Sequence, residues 1–266
     1  MTTHDRSKLR AGILELLALM RAEERHFEAG LPAAERSEEG TAERWAARAV
    51  LAHVTDFKRE QVVRLRAAAD GSEPPPFPAV EHRDPAVYAD YARRSWEHVS
   101  ADAESTSRAL CDRTGQLDDA NLFTPGVHPW LHGRALWAQV LVRGVWHASA
   151  HLHQHLAEHG HLDRVVALQR CLYHAATDAG IPDEPGGRPF AVYNLACAHA
   201  LAGDLESGLE RLAEAVRLDP NLAAAASADP DLGRLRRHPR FDEIISGEPA
   251  TLASRGPPEA GRTRRR

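Results

Sequence analysis

Segment after segment of this chain places apolar residues three and four positions apart, the spacing of one face of an α-helix. Leu9, Ile13, Leu16, Leu17 and Met20 follow it near the start, and Trp45, Ala49, Ala52 and Val63 share a broad face further on. Ala, Leu, Arg and Glu dominate, and runs of β-branched residues are nearly absent. Propensity and periodicity therefore agree, and an all-α fold is predicted.

The punctuation sets the organisation. A first helix is predicted over 7–29, ended by Gly30 and Pro32. A second starts near Thr41 as N-cap and runs to Gly71, where "GSEPPPFP" breaks it. A third starts at Asp84-Pro85 and continues through Arg113, and a fourth covers 134–158, ended by Gly160. Four long helices with short or moderate connections predict a four-helix bundle over residues 1–162. From 163 to 247 the grammar changes. A helix over 165–180 is followed by "YNLACAHALAGDLESGLERLAEAVRLDP", a helical hairpin turned by "AGD" and lined with the small residues Ala196, Ala198 and Ala200. One such unit must bury its apolar face on a neighbour, either the bundle or the helix before it. Residues 248–266, ending "GRTRRR", read as a disordered tail.

Composition removes several classes of function. The net charge is −5 over 266 residues, with no general basic footprint, so no nucleic-acid partner is predicted. No apolar run approaches the roughly 18 residues of a membrane span, and the N-terminus does not read as a signal peptide. Cys111, Cys171 and Cys197 lie far apart without a C-x-x-C. Neither a disulfide framework nor a thiolate zinc site is expected, and the inferred compartment is the reducing cytoplasm.

The chemistry concentrates in "GVWHASAHLHQHLAEHGHLD", residues 144–163. Successive helical residues turn by about 100°, so His147, His151, His155 and His159, each four apart, form one winding stripe. His153 lies on another face, and His161 follows the helix-ending Gly160. Two imidazoles at i and i+4 make a bidentate platform for a divalent metal but need a third ligand from another helix. His53, mid-helix in the apolar "VLAHVTDF", is the best candidate. A His53–His147–His151 site with open positions is predicted, while His153, His155, His159 and His161 are expected on the helix surface. Glu23-x-x-His26 and Glu158-x-x-His161 match di-iron spacing but sit at helix ends. Trp45, Trp130, Trp137 and Trp146 are candidates for an apolar substrate wall. Asp56, three residues after His53, is a candidate base or an acceptor behind the ligands. Nothing near Cys111 suggests an activated thiolate.

One histidine on the second helix followed by H-x-x-x-H on the fourth resembles the DinB/YfiT-like superfamily. "WAARAVLAHVTDFKREQVVRLRA" resembles its second-helix segment and "WLHGRALWAQVLVRGVWHASAHLHQHLAEHG" its last, in a layout similar to the ClbS/DfsB-type branch. The hairpin unit resembles a tetratricopeptide repeat, and "ADPDLGRLRRHPRFDEII" looks like the piece that follows such units in bacterial proteins. The first resemblance implies a four-helix bundle holding a divalent metal (zinc, nickel or iron(II)) on His53, His147 and His151. It also implies metal-dependent thiol transfer or hydrolysis on a small electrophile, in detoxification or resistance, with a low-molecular-weight thiol such as mycothiol or bacillithiol as cosubstrate. Some members lack the metal. The alternative is a non-catalytic ligand- or protein-binding module, the repeat-like unit docking a partner protein or a second copy.

Overall fold

A capping box starts the chain's first helix. The Thr2 hydroxyl accepts the Asp5 N–H while the Asp5 carboxylate accepts that of Thr2. This cap, and not the first apolar residue, sets the start, so α1 (Thr3–Gly30) begins a turn earlier than the apolar spacing suggests. The computed structural model describes residues 2–41, 43–77 and 85–246, and every regular element among them is helical. After Pro32 comes the short α2 (Ala33–Ser37), then α3 (Ala47–Ala69).

Thr41 does not cap α3. Its hydroxyl accepts from Glu43 and Arg44 N–H and so closes a loop turn six residues upstream. The loop is tight at Gly40, where φ is +68° and a Cβ would lie 2.4 Å from the Ala46 nitrogen and 2.7 Å from the Tyr88 hydroxyl. Only glycine fits there.

The predicted third helix is two. α4 (Pro85–Arg93) stops, and Ser95 restarts the chain as N-cap of α5 (Trp96–Gln116) by accepting the His98 N–H. The expected Asp84 cap and the expected tail over 248–266 lie outside the described residues. After α6 (Asp119–Phe123) and a 3₁₀ turn at Pro129–Leu131 comes the fourth long helix, in two parts. α7 (Leu136–Leu141) passes through a wide π turn, Val142–Trp146, into α8 (His147–Glu158).

The four long helices close a ring: α1 packs on α5, α5 on α3, α3 on α8 and the π turn, and these back on α1. Inside lie Ile13, Leu16, Met20, Leu51, Val54, Leu110, Leu136, Val140 and Val145, all buried. α9 (Leu162–Asp178) lays Val165, Leu168, Leu172 and Ala176 on the same core.

α10 (Arg188–Ala202) and α11 (Leu205–Leu218) form the hairpin, turned at Gly203 with φ +87°. α10 faces both ways. Ala191 and Ala198 belong to the first core, while Val192, Ala196, Cys197 and Ala200 belong to a second with Leu209, Leu212 and Leu235. α12 (Leu222–Ala228) and α13 (Pro239–Ser246) cover that second core with Leu222, Ala226 and Phe241. The hairpin thus spends its apolar faces on α9 and on its own follow-on helices. Among the described residues, no helix is long and apolar enough to cross a membrane.

Candidate metal centre

His53 lies near the start of α3, and His147 and His151 stand one turn apart at the start of α8. Because α3 and α8 are neighbours, the three imidazoles converge. One ligand atom of each lies within 4.8 Å of the others. The Nε2 atoms of His53 and His147 are 3.1 Å apart, and the His53–His151 and His147–His151 ring centroids are 4.7 and 4.5 Å apart. The π turn ends at Trp146, immediately before His147. There the His147 N–H reaches back to the Val142 carbonyl, five residues away. Such a turn inserts one residue into the helix and changes which face follows, a device found at functional sites.

The walls are aromatic. Trp45, delivered by the Gly40 loop, meets the His53 ring edge-on at 5.0 Å and lies parallel to that of His151 at 6.5 Å. Phe57 stacks on His147 at 3.9 Å and touches His53 at 4.8 Å. Tyr91 of α4 lies 5.9 Å from His53. Burial, reinforced by the negative charge of nearby Asp56, pushes the Tyr91 pKa well up. Asp56 itself pairs with Arg59 and Arg94. It lies on the far side of Tyr91 from His53. Behind Phe57, Arg143 lies 5.0 Å above the ring and pairs with Glu60 at 2.6 Å. The donor set is therefore three imidazoles in a mostly apolar pocket that carry no charge when neutral. This fits a borderline divalent ion such as zinc, nickel or iron(II).

The four tryptophans divide. Trp45 forms the triad wall. Trp146 turns away, its buried indole donating to the Gly186 carbonyl at 2.9 Å. Trp137 is buried under Gly187, and Trp130 packs beside His128. Phe57 had a signal in the sequence, since it stands four residues after His53 on the same helical face. Tyr91 had none, because it arrives from a separate helix. Burial keeps the Cys111 and Cys171 thiols above their ordinary pKa, so neither is an activated nucleophile.

The expectation that the other histidines sit on the helix surface is corrected. His153 and His155 are each 1% exposed, and His159 and His161 are partly buried. The reason is tertiary, since α2, Trp45, α9 and the α12–α13 segment cover faces that a lone helix would leave wet. His153 accepts from Gln169 Nε2 at 2.9 Å and so donates from Nε2 to Asp231 at 2.9 Å, which fixes its tautomer. His155 and His159 meet Glu35, and their ligand atoms and its carboxylate form a second group within 4.8 Å. A third group, Cys197, Asp229 and Asp231, is internally engaged. The Cys197 thiol and the Tyr193 hydroxyl both point at Asp229. Neither Glu23, His26 nor Glu158 belongs to any of these groups among the described residues.

No family model, curated protein or solved structure matches this chain.

Proposed function

We propose that the chain is a DinB/YfiT-like bundle protein, with a tetratricopeptide-like hairpin over α10 and α11, that uses a divalent metal to act on a small electrophilic molecule. The observation that carries this reading is the convergence of His53, His147 and His151 inside a wall of Trp45, Phe57 and Tyr91. A zinc, nickel or iron(II) ion held there would lower the pKa of a bound thiol or water and supply a nucleophilic anion near neutral pH. The chain's own groups do the rest. The Trp45 and Phe57 rings exclude water and offer apolar contact to the electrophile. Tyr91, its pKa raised by burial and by the nearby Asp56 charge, stays a neutral phenol beside His53. The Phe57 stack fixes the plane of His147. The hairpin buttresses α8, because Asn194 Nδ2 donates to the Trp146 carbonyl at 3.2 Å.

The test is elemental analysis of the untagged chain and of His147→Ala with His151→Ala, each supplied with zinc, nickel or iron(II). A thiol-consumption assay on a model electrophile runs in parallel. The double variant is expected to hold one ion fewer per chain and to lose thiol consumption. Equal metal content in the two proteins for all three ions would sink the reading.

A further inference from the structure

His155 is packed edge-on against Phe27 and stacks on His159 at 4.1 Å. Its Nδ1 lies 3.3 Å from the Trp45 carbonyl. A carbonyl only accepts, so Nδ1 carries the proton and Nε2 presents a bare lone pair. That Nε2 is buried and has no hydrogen-bond partner. It faces Glu35 Oε2 at 3.9 Å, and this oxygen is also buried without a hydrogen-bond partner. Two acceptors thus point at each other across a gap too long for a hydrogen bond, which is costly unless a cation lies between them.

The surroundings are arranged to hold the pair. His161 Nε2 grips the other Glu35 oxygen at 2.9 Å, and His159 anchors its Nδ1 on the His155 carbonyl at 2.8 Å. His159 Nε2 is turned toward Glu38 Oε2 at 2.8 Å. At His159 a cation would displace the proton on Nε2, which lies 2.8 Å from Glu38 Oε2 and 3.2 Å from Arg44 Nη2, whereas ion pairing accounts for His161 with Glu35. It does not account for the facing lone pairs of His155 and Glu35.

We propose that Glu35, His155 and His159 form a second divalent-cation site, of the zinc class, that pins the α1–α3 connection to the end of α8. The donor set of two imidazole nitrogens and a carboxylate oxygen suits zinc, and tetrahedral bonds near 2.0–2.2 Å put donors about 3.3 Å apart. The 3.9 Å gap needs to close by about half an ångström. Each ligand is oriented through its other polar atom, by Trp45, the His155 carbonyl and His161, as metal ligands are. A cleft lined by Glu43, Trp45, His151, Gln154 and Glu158 reaches the His155 ring. The site stands whether or not the triad binds, but it bears on the triad, because the Trp45 carbonyl that orients His155 belongs to the residue that walls His53 and His151.

The test is zinc titration by calorimetry on the untagged full chain, with trypsin cleavage at Arg36 as a second readout. Wild type is expected to bind two zinc ions, and His147→Ala with His151→Ala is expected to bind one. In both, zinc should slow cleavage at Arg36 by about tenfold or more. Glu35→Gln, nearly isosteric, should lose one ion and the protection. A triad variant that binds no zinc overturns the proposal, as does a Glu35→Gln chain with wild-type stoichiometry and protection. Loss of the triad site alone would appear differently, as one ion in wild type that Glu35→Gln removes and the double alanine variant keeps.

Discussion

Replacing Lys58 with Met should be among the most damaging single changes in the helical ring. Lys58 is 2% exposed, and its ammonium contacts the wholly buried Glu24, tying α3 to α1. Arg21 Nη1 approaches the same carboxylate at 3.3 Å and reaches Glu28 at 2.8 Å, while its Nε reaches Glu104 at 3.1 Å. Arg25 at 2.6 Å and the exposed Arg108 at 3.4 Å also pair with Glu104. Within this group Lys58 is the ammonium set directly against the buried Glu24, and Lys58→Met removes that compensation from a buried carboxylate. Breaking a buried pair from one side costs about 3–5 kcal/mol. Because Arg21 still flanks Glu24, the lower end applies, about 3 kcal/mol, or a fall in Tm of about 6–12 °C for a chain of this size. Glu24→Gln should cost a similar amount, since it strands the ammonium with only Ser107 Oγ at 3.4 Å. The double variant removes one charge of each sign, so it should cost about 3 kcal/mol where additivity would demand about 6. Urea unfolding followed by far-UV circular dichroism measures all three. A Lys58→Met chain within about 1 kcal/mol of wild type, or a strictly additive double variant, would refute the reasoning.

Glu104 gives a pH signature. Hydrogen bonds from Arg25 first, then Arg21, hold its pKa down to about 2 against an ordinary 4.5. A depressed carboxylate stabilises the fold above its unfolded pKa and loses that contribution as pH falls through the folded one. The side chain is 34% exposed, so screening reduces the nominal ~3 kcal/mol to about 1. Glu104→Gln should therefore cost about 1 kcal/mol at pH 7, with the gap to wild type narrowing below pH 4.5 and closing near pH 2 in the same unfolding assay. At Gly12 a Cβ would stand 2.8 Å from Ala179 Cβ and 3.2 Å from the Ala179 carbonyl. Gly12→Ala should lose about 1–3 kcal/mol to overpacking and regain about 1 from helix propensity, a net destabilisation that calorimetry would report and that a raised Tm would contradict. His153→Ala deletes the buried link from α8 to Asp231 and should cost about 3 kcal/mol, with Asp231→Asn milder. Faster amide exchange in α12 and α13 than in α1 is the accompanying signal, and uniform exchange across the chain would count against a docking role.

The helices were legible in the sequence because burial on one face leaves a period, and Leu9 to Met20 or Leu205 to Leu218 carry it plainly. Breaks that depend on a side chain's choice between two backbone partners were not. Thr41 has the chemistry of an N-cap and spends it on a loop, while Ser95, inside an apparently continuous helix, spends the same chemistry on a cap. The triad was partly legible, since an i, i+4 pair announces its shared face and His53 is conspicuous in an apolar run. The pocket around it was legible only where it is local. Phe57 is four residues from His53, whereas Tyr91 and the position of Trp45 depend on how separate segments pack.

The histidines further along α8 make the same point in reverse. Their stripe was visible as a pattern, yet nothing in helix periodicity distinguishes a face that meets water from one that α2 covers with Glu35. What decides is the loop fold enforced at Gly40, which brings the Trp45 carbonyl to His155 and allows one helix to present two histidine pairs to two different neighbours. His147 and His151 face the aromatic lining of α3, and His155 and His159 face carboxylates. The first environment is walled by the rings of Trp45, Phe57 and Tyr91, and its three donors are neutral imidazoles. The second brings Glu35 and Glu38 to its nitrogens and partly neutralises any cation it holds. By donor charge alone, the first pair suits an ion that must activate a bound ligand, and the second suits one that only holds the chain together.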